Sequence, residues 1–137
     1  MSSTTKRTGL EQGRAAYAYL AAEEGAKLDK KKEYKSYVKK MPMLIKVNGL
    51  GAAIAFAFAK GSKNGSAQKN DPWGLLYTQL EDWLRQKGAL KMEQNPLAKV
   101  LTSSESATYR AATIEVLALL NWMKRFADAL IEGEAQD

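Results

Sequence analysis

Eleven consecutive residues from Gly49 to Ala59, GLGAAIAFAFA, carry no charged or polar side chain, and this run constrains the fold more than any other stretch. It is little more than half of the roughly 20 residues that a helix needs to cross a bilayer. Its apolar surface must instead be buried within the protein, which predicts a central core helix that is apolar all round. The segment before it has the opposite character. Tyr34, Tyr37, Val38, Met41, Leu44, Ile45 and Asn48 recur at steps of three and four, one apolar stripe along a helix beginning near Lys30. Lys32, Lys35, Lys39 and Lys46 recur at three, four and seven on the other side. Pro42 lacks an N–H and crowds the preceding turn, so two shorter helices are expected to meet near Met41 and Pro42. Asn48-Gly49 is a plausible break between this segment and the apolar run.

The remaining pattern is helical as well. No long period-two alternation is present, and no hairpin dipeptide is flanked by β-branched runs. A first helix is expected from about Leu10 to Lys27. Trp73, Leu76, Tyr77, Leu80, Trp83 and Leu84 define a clean amphipathic helix, with Asp71-Pro72 as cap and first turn and Gly88 as its close. Asn95-Pro96 repeats the cap-then-proline signal before a short helix with Leu97, Val100 and Leu101. Thr102 and Glu105 have capping-box spacing for the last and longest helix, expected to end near Gly133. The fold expected is all-α, a compact single-domain bundle of about six helices. Residues 1–9 form a disordered lead-in, 10–133 the helical domain with a flexible polar loop near 61–71, and 134–137 a tail.

The chain has neither Cys nor His. That removes disulfides, thiolate metal sites, the cysteine nucleophile, the commonest general base and the commonest transition-metal ligand. The carboxylate pairs Glu23-Glu24 and Glu81-Asp82 are sequence neighbours and diverge by about 100° on a helix, poor geometry for a shared metal. Asn48-Gly49-Leu50-Gly51 lacks the third glycine and the preceding strand of a dinucleotide loop. No cofactor, no metal and no enzymatic activity are expected. The N-terminus has no signal-peptide pattern, so an intracellular, cytoplasmic protein without a membrane span is the default.

Charge is the main functional signal. Lys27 to Lys69 holds eleven lysines against Asp29 and Glu33, a local net of +9 in a chain whose total is +6, so the remainder carries −3. A basic section in an otherwise mildly acidic protein suits an oriented polyanion. Lys35, Lys39, Lys40 and Lys46, extended by Arg14, Arg110, Lys124 and Arg125, are the candidate nucleic-acid contacts. Lysines grip phosphates and do not read bases, so binding would be sequence-tolerant and salt-sensitive. The plainer alternatives are a solvated face with a loop charge run for the lysines, and ordinary pairing with Glu115 or Asp128 for Arg14, Arg110, Lys124 and Arg125. Tyr17, Tyr34 and Tyr37 have the position to stack on bases, but their helical spacing favours core packing. Trp73, Trp83 and Trp122 suit either the core or subunit contacts. Other readings are a helical adaptor for an acidic protein, a ribonuclease using Lys, Tyr and carboxylates, and an interfacial membrane helix.

Two blocks carry a family likeness. The first runs from Glu33-Tyr34-Lys35-Ser36-Tyr37-Val38-Lys39-Lys40-Met41-Pro42 through Ile45-Lys46 to Asn48-Gly49-Leu50-Gly51. The second holds Tyr109-Arg110, Thr113, Glu115 and Leu117, then Trp122, Lys124, Arg125, Phe126 and Ala127, with Arg14-Ala15, Tyr17 and Tyr19 in support. From about Arg14 to Leu130 the chain resembles the small subunit of the type III-B CRISPR RNA-silencing (Cmr) complex. The resemblance implies a compact all-α, non-catalytic subunit that stacks head-to-tail with itself beside a filament of the larger backbone subunit. It also implies partners in the other Cmr subunits, the guide RNA and the target RNA, with target cutting assigned to the backbone subunit. The 61–71 loop and the residues after Gly133 match nothing in that pattern.

Overall fold

The computed structural model describes residues 3–135, with side chains from residue 9 onward. In chain order it contains α1 (Ser3–Ala26), α2 (Lys31–Asn48), α3 (Leu50–Gly61), β1 (Ser62–Lys63), β2 (Ser66–Ala67), α4 (Pro72–Lys87), α5 (Leu97–Val100) and α6 (Ser106–Leu130). The all-α bundle expected from periodicity is therefore the fold. Residues 3–9 of the expected lead-in continue α1 as helical backbone, while residues 1–2 and 136–137 lie outside the described residues.

The core forms where the apolar stripes meet. Tyr34, Val38, Met41 and Ile45 of α2 are buried against Leu76, Tyr77, Leu80 and Leu84 of α4 and Val116, Leu120 and Met123 of α6 in one continuous cluster. The helix at the centre is α2, not the apolar α3: α2 packs against α1, α3, α4 and α6. In α3, Leu50, Ala53, Ile54 and Ala57 face inward, but Ala52, Ala55, Phe56 and Ala59 remain exposed. Small side chains explain the exposed alanines, which add little apolar area for water to reject, whereas Phe56 is only partly covered by its edge-on contact with Trp73.

Pro42 does not split α2. The helix continues from Lys31 to Asn48 with the proline inside it. Buried Met41 and Ile45 on the same stripe hold both sides of the proline to the core, and tertiary packing outweighs the lost N–H. The expected break at Gly49 is present, with φ +89 and its N–H donated to the Ile45 carbonyl, a conformation that favours glycine.

The 61–71 segment is an ordered hairpin rather than a structureless loop. Ser62 pairs with Ala67 and Lys63 with Ser66 around Asn64-Gly65, both at positive φ. Asn-Gly favours this tight turn even without β-branched flanks. The hairpin brings Gly61 against Gly74 so closely that a Cβ on Gly61 would lie 2.1 Å from the Gly74 nitrogen. Asp71 caps α4 as expected, accepting from Gly74 N–H at 3.0 Å, and Gly88 closes it in the left-handed conformation.

Two other expected caps are replaced by tertiary or local alternatives. At α5, Asn95 makes no cap. Instead the Leu97 N–H donates to Glu81 Oε2 at 2.8 Å, and the Ala98 N–H to Tyr77 Oη at 3.1 Å. The Thr102-Glu105 box is not formed: Thr102 Oγ1 donates to the Lys99 carbonyl, and α6 starts at Ser106 without a side-chain cap. Its other end is Leu130, three residues short of Gly133.

Candidate nucleic-acid interface

The helices α2 and α6 run antiparallel. Lys35 and Lys39, near the start of α2, meet Asp128 near the end of α6, whereas Gly51, just beyond α2, donates its N–H to Tyr109 Oη at 2.6 Å near the start of α6. Their outer surfaces therefore form one two-helix face. Lys39 and Lys46, seven residues apart, are exposed on the α2 side. Arg110 and Lys124 are exposed on the α6 stripe, which also presents Asn121 and Asp128. Met43 and Ile114 stand exposed beside them, 64 % and 65 % accessible, and Val47, seven residues from Lys40 on the next stripe of α2, is 69 % accessible.

The other four candidate residues lie elsewhere. Lys35 is buried, with only 4 % exposure, and its Nζ donates to the Ile131 carbonyl at 3.0 Å. Asp128 Oδ1 at 3.6 Å and Glu134 Oε1 at 3.8 Å complete its surroundings. The reason is register: Lys35, Val38, Pro42 and Ile45 are spaced by three, four and three, so Lys35 belongs to the edge of the buried stripe. That spacing is the signal in the sequence that sets it apart from Lys39. Its long stem lies in the apolar interior while the ammonium finds carbonyl and carboxylate oxygens.

Arg14 is likewise internal to the structure. Its Nε and Nη2 donate to the two oxygens of Glu115 at 3.0 and 2.9 Å, a bidentate clasp between α1 and α6, and its Nη1 pairs with Glu11. Glu115 also accepts from Trp83 Nε1, and Glu11 from Trp122 Nε1, each at 3.0 Å. The guanidinium keeps the Glu115 carboxyl below its ordinary range, and Glu115 in turn raises that of Arg14. Arg125 is exposed on this α1 flank, 5.8 Å from the Trp122 ring centre. Lys40 turns to the far side of α2, 5.9 Å from the ring of Tyr37, which stacks on Trp73 at 4.1 Å.

None of the three weighed tyrosines is an open stacking platform. Tyr34 is fully buried and donates to Gln79 Oε1 at 2.6 Å; burial raises its phenol above the usual range. Tyr17 donates to Asp82 at 2.7 Å, and Tyr37 has one face on Trp73. Trp73 and Trp83 are core residues, and Trp122 is half-buried against Glu11. The neighbouring carboxylates serve different tasks: Glu24 accepts from Gln79, Glu81 holds α5 and Asp82 accepts from Tyr17. Among the described residues no group of His, Cys, Asp or Glu is arranged to hold a metal ion, and no helix is long and apolar enough to cross a membrane.

The geometry defines a small helical protein with one cation-bearing two-helix face and separately paired internal charges. Comparison with known proteins gives the family. Residues 10–130 match the family model described as CRISPR-associated protein Cas_Cmr5, and the chain belongs to that family. It is 34 % identical over 119 residues to the CRISPR system Cmr subunit Cmr5 of Thermus thermophilus, covering 86 % of this chain and 92 % of that one. The X-ray crystal structure of a CRISPR-associated Cmr5 family protein from the same organism superposes with a TM-score of 0.68 at 31 % identity. That superposition covers 89 % of this chain and 97 % of the other.

Proposed function

We propose that this chain is a non-catalytic structural subunit of a type III-B CRISPR effector ribonucleoprotein acting in antiviral defence in the cytoplasm. In this reading the outer face of α2 and α6 lies against the phosphates of a guide–target RNA duplex. The observation that carries it is the placement of Lys39, Lys46, Arg110 and Lys124 on one exposed face. Their contacts add salt-dependent affinity without base preference. Lys35 supports the face from within and Arg14 ties α6 to α1 on the opposite flank; Lys40 and Arg125 reach ligand only if it extends around the edges of the face. The absence of His and Cys from the sequence favours a structural over a catalytic role.

The test is a titration of a guide–target RNA duplex across salt concentrations with the triple variant Lys39→Ala, Lys46→Ala, Lys124→Ala. Lys35 is left intact because its removal would disturb the fold. Affinity is expected to fall by about tenfold or more at low salt, with the log–log salt slope reduced by about three. An unchanged affinity and slope would remove this face from the RNA interface.

Exposed Met43, Val47, Ile114 and Phe56 favour protein neighbours as well, namely the backbone subunit and further copies of the chain stacked head-to-tail. Replacing Val47 and Ile114 by Asp is expected to lower incorporation into the assembled complex, read by co-purification and sedimentation, while the free chain keeps its helicity.

A further inference from the structure

A second set of cations lies where the start of α2, the end of α3 and the start of α4 come together. Lys30, Lys60 and Lys63 line a hollow there of about 380 Å³, with Ser62 in its wall and no residue of α6. That volume is within the roughly 300–1,000 Å³ of small-ligand pockets. Among the described residues none of these three lysines has an ion-pair partner. Two acids share the wall, and one of them is already engaged: Asp71 caps α4, accepting from Gly74 N–H at 3.0 Å, so its charge also faces a helix N-terminus. Asp29 is the other. The Ser62 hydroxyl is screened from solvent and has no hydrogen-bond partner, alone among the side-chain groups of the described residues. Buried hydroxyls are nearly always paired, so this one marks a place for an acceptor. The wall is also stiff. The Gly61 carbonyl accepts from the Gln68 N–H at 2.8 Å, and Gly61 sits against Gly74 with no room for a Cβ, so Lys60 and Lys63 flank a fixed backbone.

Phe56 stands one helical turn before Lys60 on the same side of α3. Its ring is 43 % exposed and set at 88° to Trp73, which in turn stacks on Tyr37. The Lys60 ammonium lies 5.7 Å from the Phe56 ring centre, so one lysine serves both the hollow and the ring. We propose that this hollow is a nucleotide site, separate from the α2–α6 face, in which Lys30, Lys60, Lys63 and Ser62 hold a phosphate and Phe56 stacks the attached base. A phosphate oxygen accepts from the Ser62 hydroxyl and supplies the counter-charge that the lysines lack. The base replaces the Lys60 ammonium on the Phe56 ring, and the freed ammonium turns to the phosphate, exchanging a weak cation–π contact for a charge-assisted hydrogen bond. Stacking is sequence-tolerant, so the site takes any nucleoside phosphate, whether a free nucleotide or one unit of a single strand. It does not depend on the duplex-binding reading above. A nucleotide here and a protein neighbour on Phe56 exclude one another, so the free full-length chain is the form to test.

The experiment titrates the chain at low salt with inorganic phosphate, with adenosine 5′-monophosphate and with a single-stranded oligoadenylate, following the NMR signals of Phe56, Lys60, Ser62 and Lys63. All four residues are expected to respond to the monophosphate and to the oligonucleotide. Lys60→Gln with Lys63→Gln should weaken phosphate and the monophosphate alike, by about tenfold. Phe56→Ala should weaken the monophosphate by about fivefold or more and leave phosphate unchanged, while Phe56→Tyr restores the parent affinity. Lys46→Ala, on the duplex face, should change none of these. Oligoadenylate binding tenfold or more above the monophosphate would support the site as one for single strands, and equal affinities would support it as one for free nucleotides. No response of these residues to either ligand, or an equal loss of phosphate and monophosphate in Phe56→Ala, overturns the proposal and leaves the duplex reading untouched.

Discussion

Helix α6 has two flanks, and the same kinds of residue do different work on each. On the α1 flank, Arg14, Glu11, Glu115, Trp83 and Trp122 form a closed set in which each charge meets an opposite charge or a ring N–H within hydrogen-bond distance. On the α2 flank, Asp128 meets Lys35 and Lys39 and Glu134 meets Lys35, while Lys46 and Lys124 stand exposed, and of these four lysines Lys35 alone is enclosed. A matched set of charges holds helices together, whereas a surplus of one sign on an exposed face remains available to an external ligand. Charge type alone does not separate these roles. What separates them is whether the fold supplies a partner.

The contrast is broken most directly at its enclosed side. Glu115→Ala leaves the Arg14 guanidinium and the Trp83 N–H without their acceptor in a partly buried seam, and should destabilise the protein by about 3 kcal/mol in denaturant unfolding. Lys35→Ala should cost about 2 kcal/mol, through loss of stem packing and of the donor to Ile131, although it lies on the flank assigned to binding. Wild-type stability in Lys35→Ala would show that the α2 flank has no internal component at all.

Titration sharpens the same comparison. Glu115 is held below its ordinary value of 4.5, first by hydrogen bonding to Arg14, so it stabilises the fold above that pH. This contribution is lost as pH falls below about 4.5 and through the depressed folded-state value, because protonation is then favoured in the unfolded chain. Glu115→Gln should therefore be less stable than the parent near neutral pH and should lose stability less steeply on acidification. Parallel pH–stability curves for the two proteins would mean that the clasp is not electrostatically coupled to folding.

The bundle is legible in the sequence because Val38, Met41, Ile45 and the Trp73–Leu84 stripe are all spaced for burial, and burial dominates the energetics of a small helical domain. Asp71 and Gly88 are readable too, since local caps act within a few residues. The caps of α5 are not, because Glu81 and Tyr77 reach Leu97 and Ala98 from another helix, a contact that no local pattern encodes. The hairpin is hidden for a different reason: Asn64-Gly65 carries its turn chemistry without the apolar flanks that usually advertise strands. At the candidate face, charge and helical phase suffice to find Lys39, Lys46, Arg110 and Lys124. They do not separate Lys35 and Arg14 from these four, because the acids that enclose them, Asp128 and Glu115, lie roughly a hundred residues away in sequence; for Arg14, Glu11 is a local partner, and pairing with Glu115 is open in the sequence only as an alternative.

The smallest effect on folding should come from Lys46→Ala, and it isolates binding from stability. Lys46 is exposed on the last turn of α2, near the α2 carbonyl terminus, where a cation adds only a few tenths of a kcal/mol. Its removal should leave the unfolding free energy within about 0.5 kcal/mol of the parent. On RNA, losing one phosphate contact should lower the salt slope by about one. Lys35→Ala should behave oppositely, with a clear loss of stability and, where the variant remains folded, a smaller change in slope. Equal slopes and equal stability losses in the two variants would erase the distinction between enclosed and exposed cations on α2. The opposite pairing of effects would place the ligand contact beneath the face, at Lys35, instead of upon it.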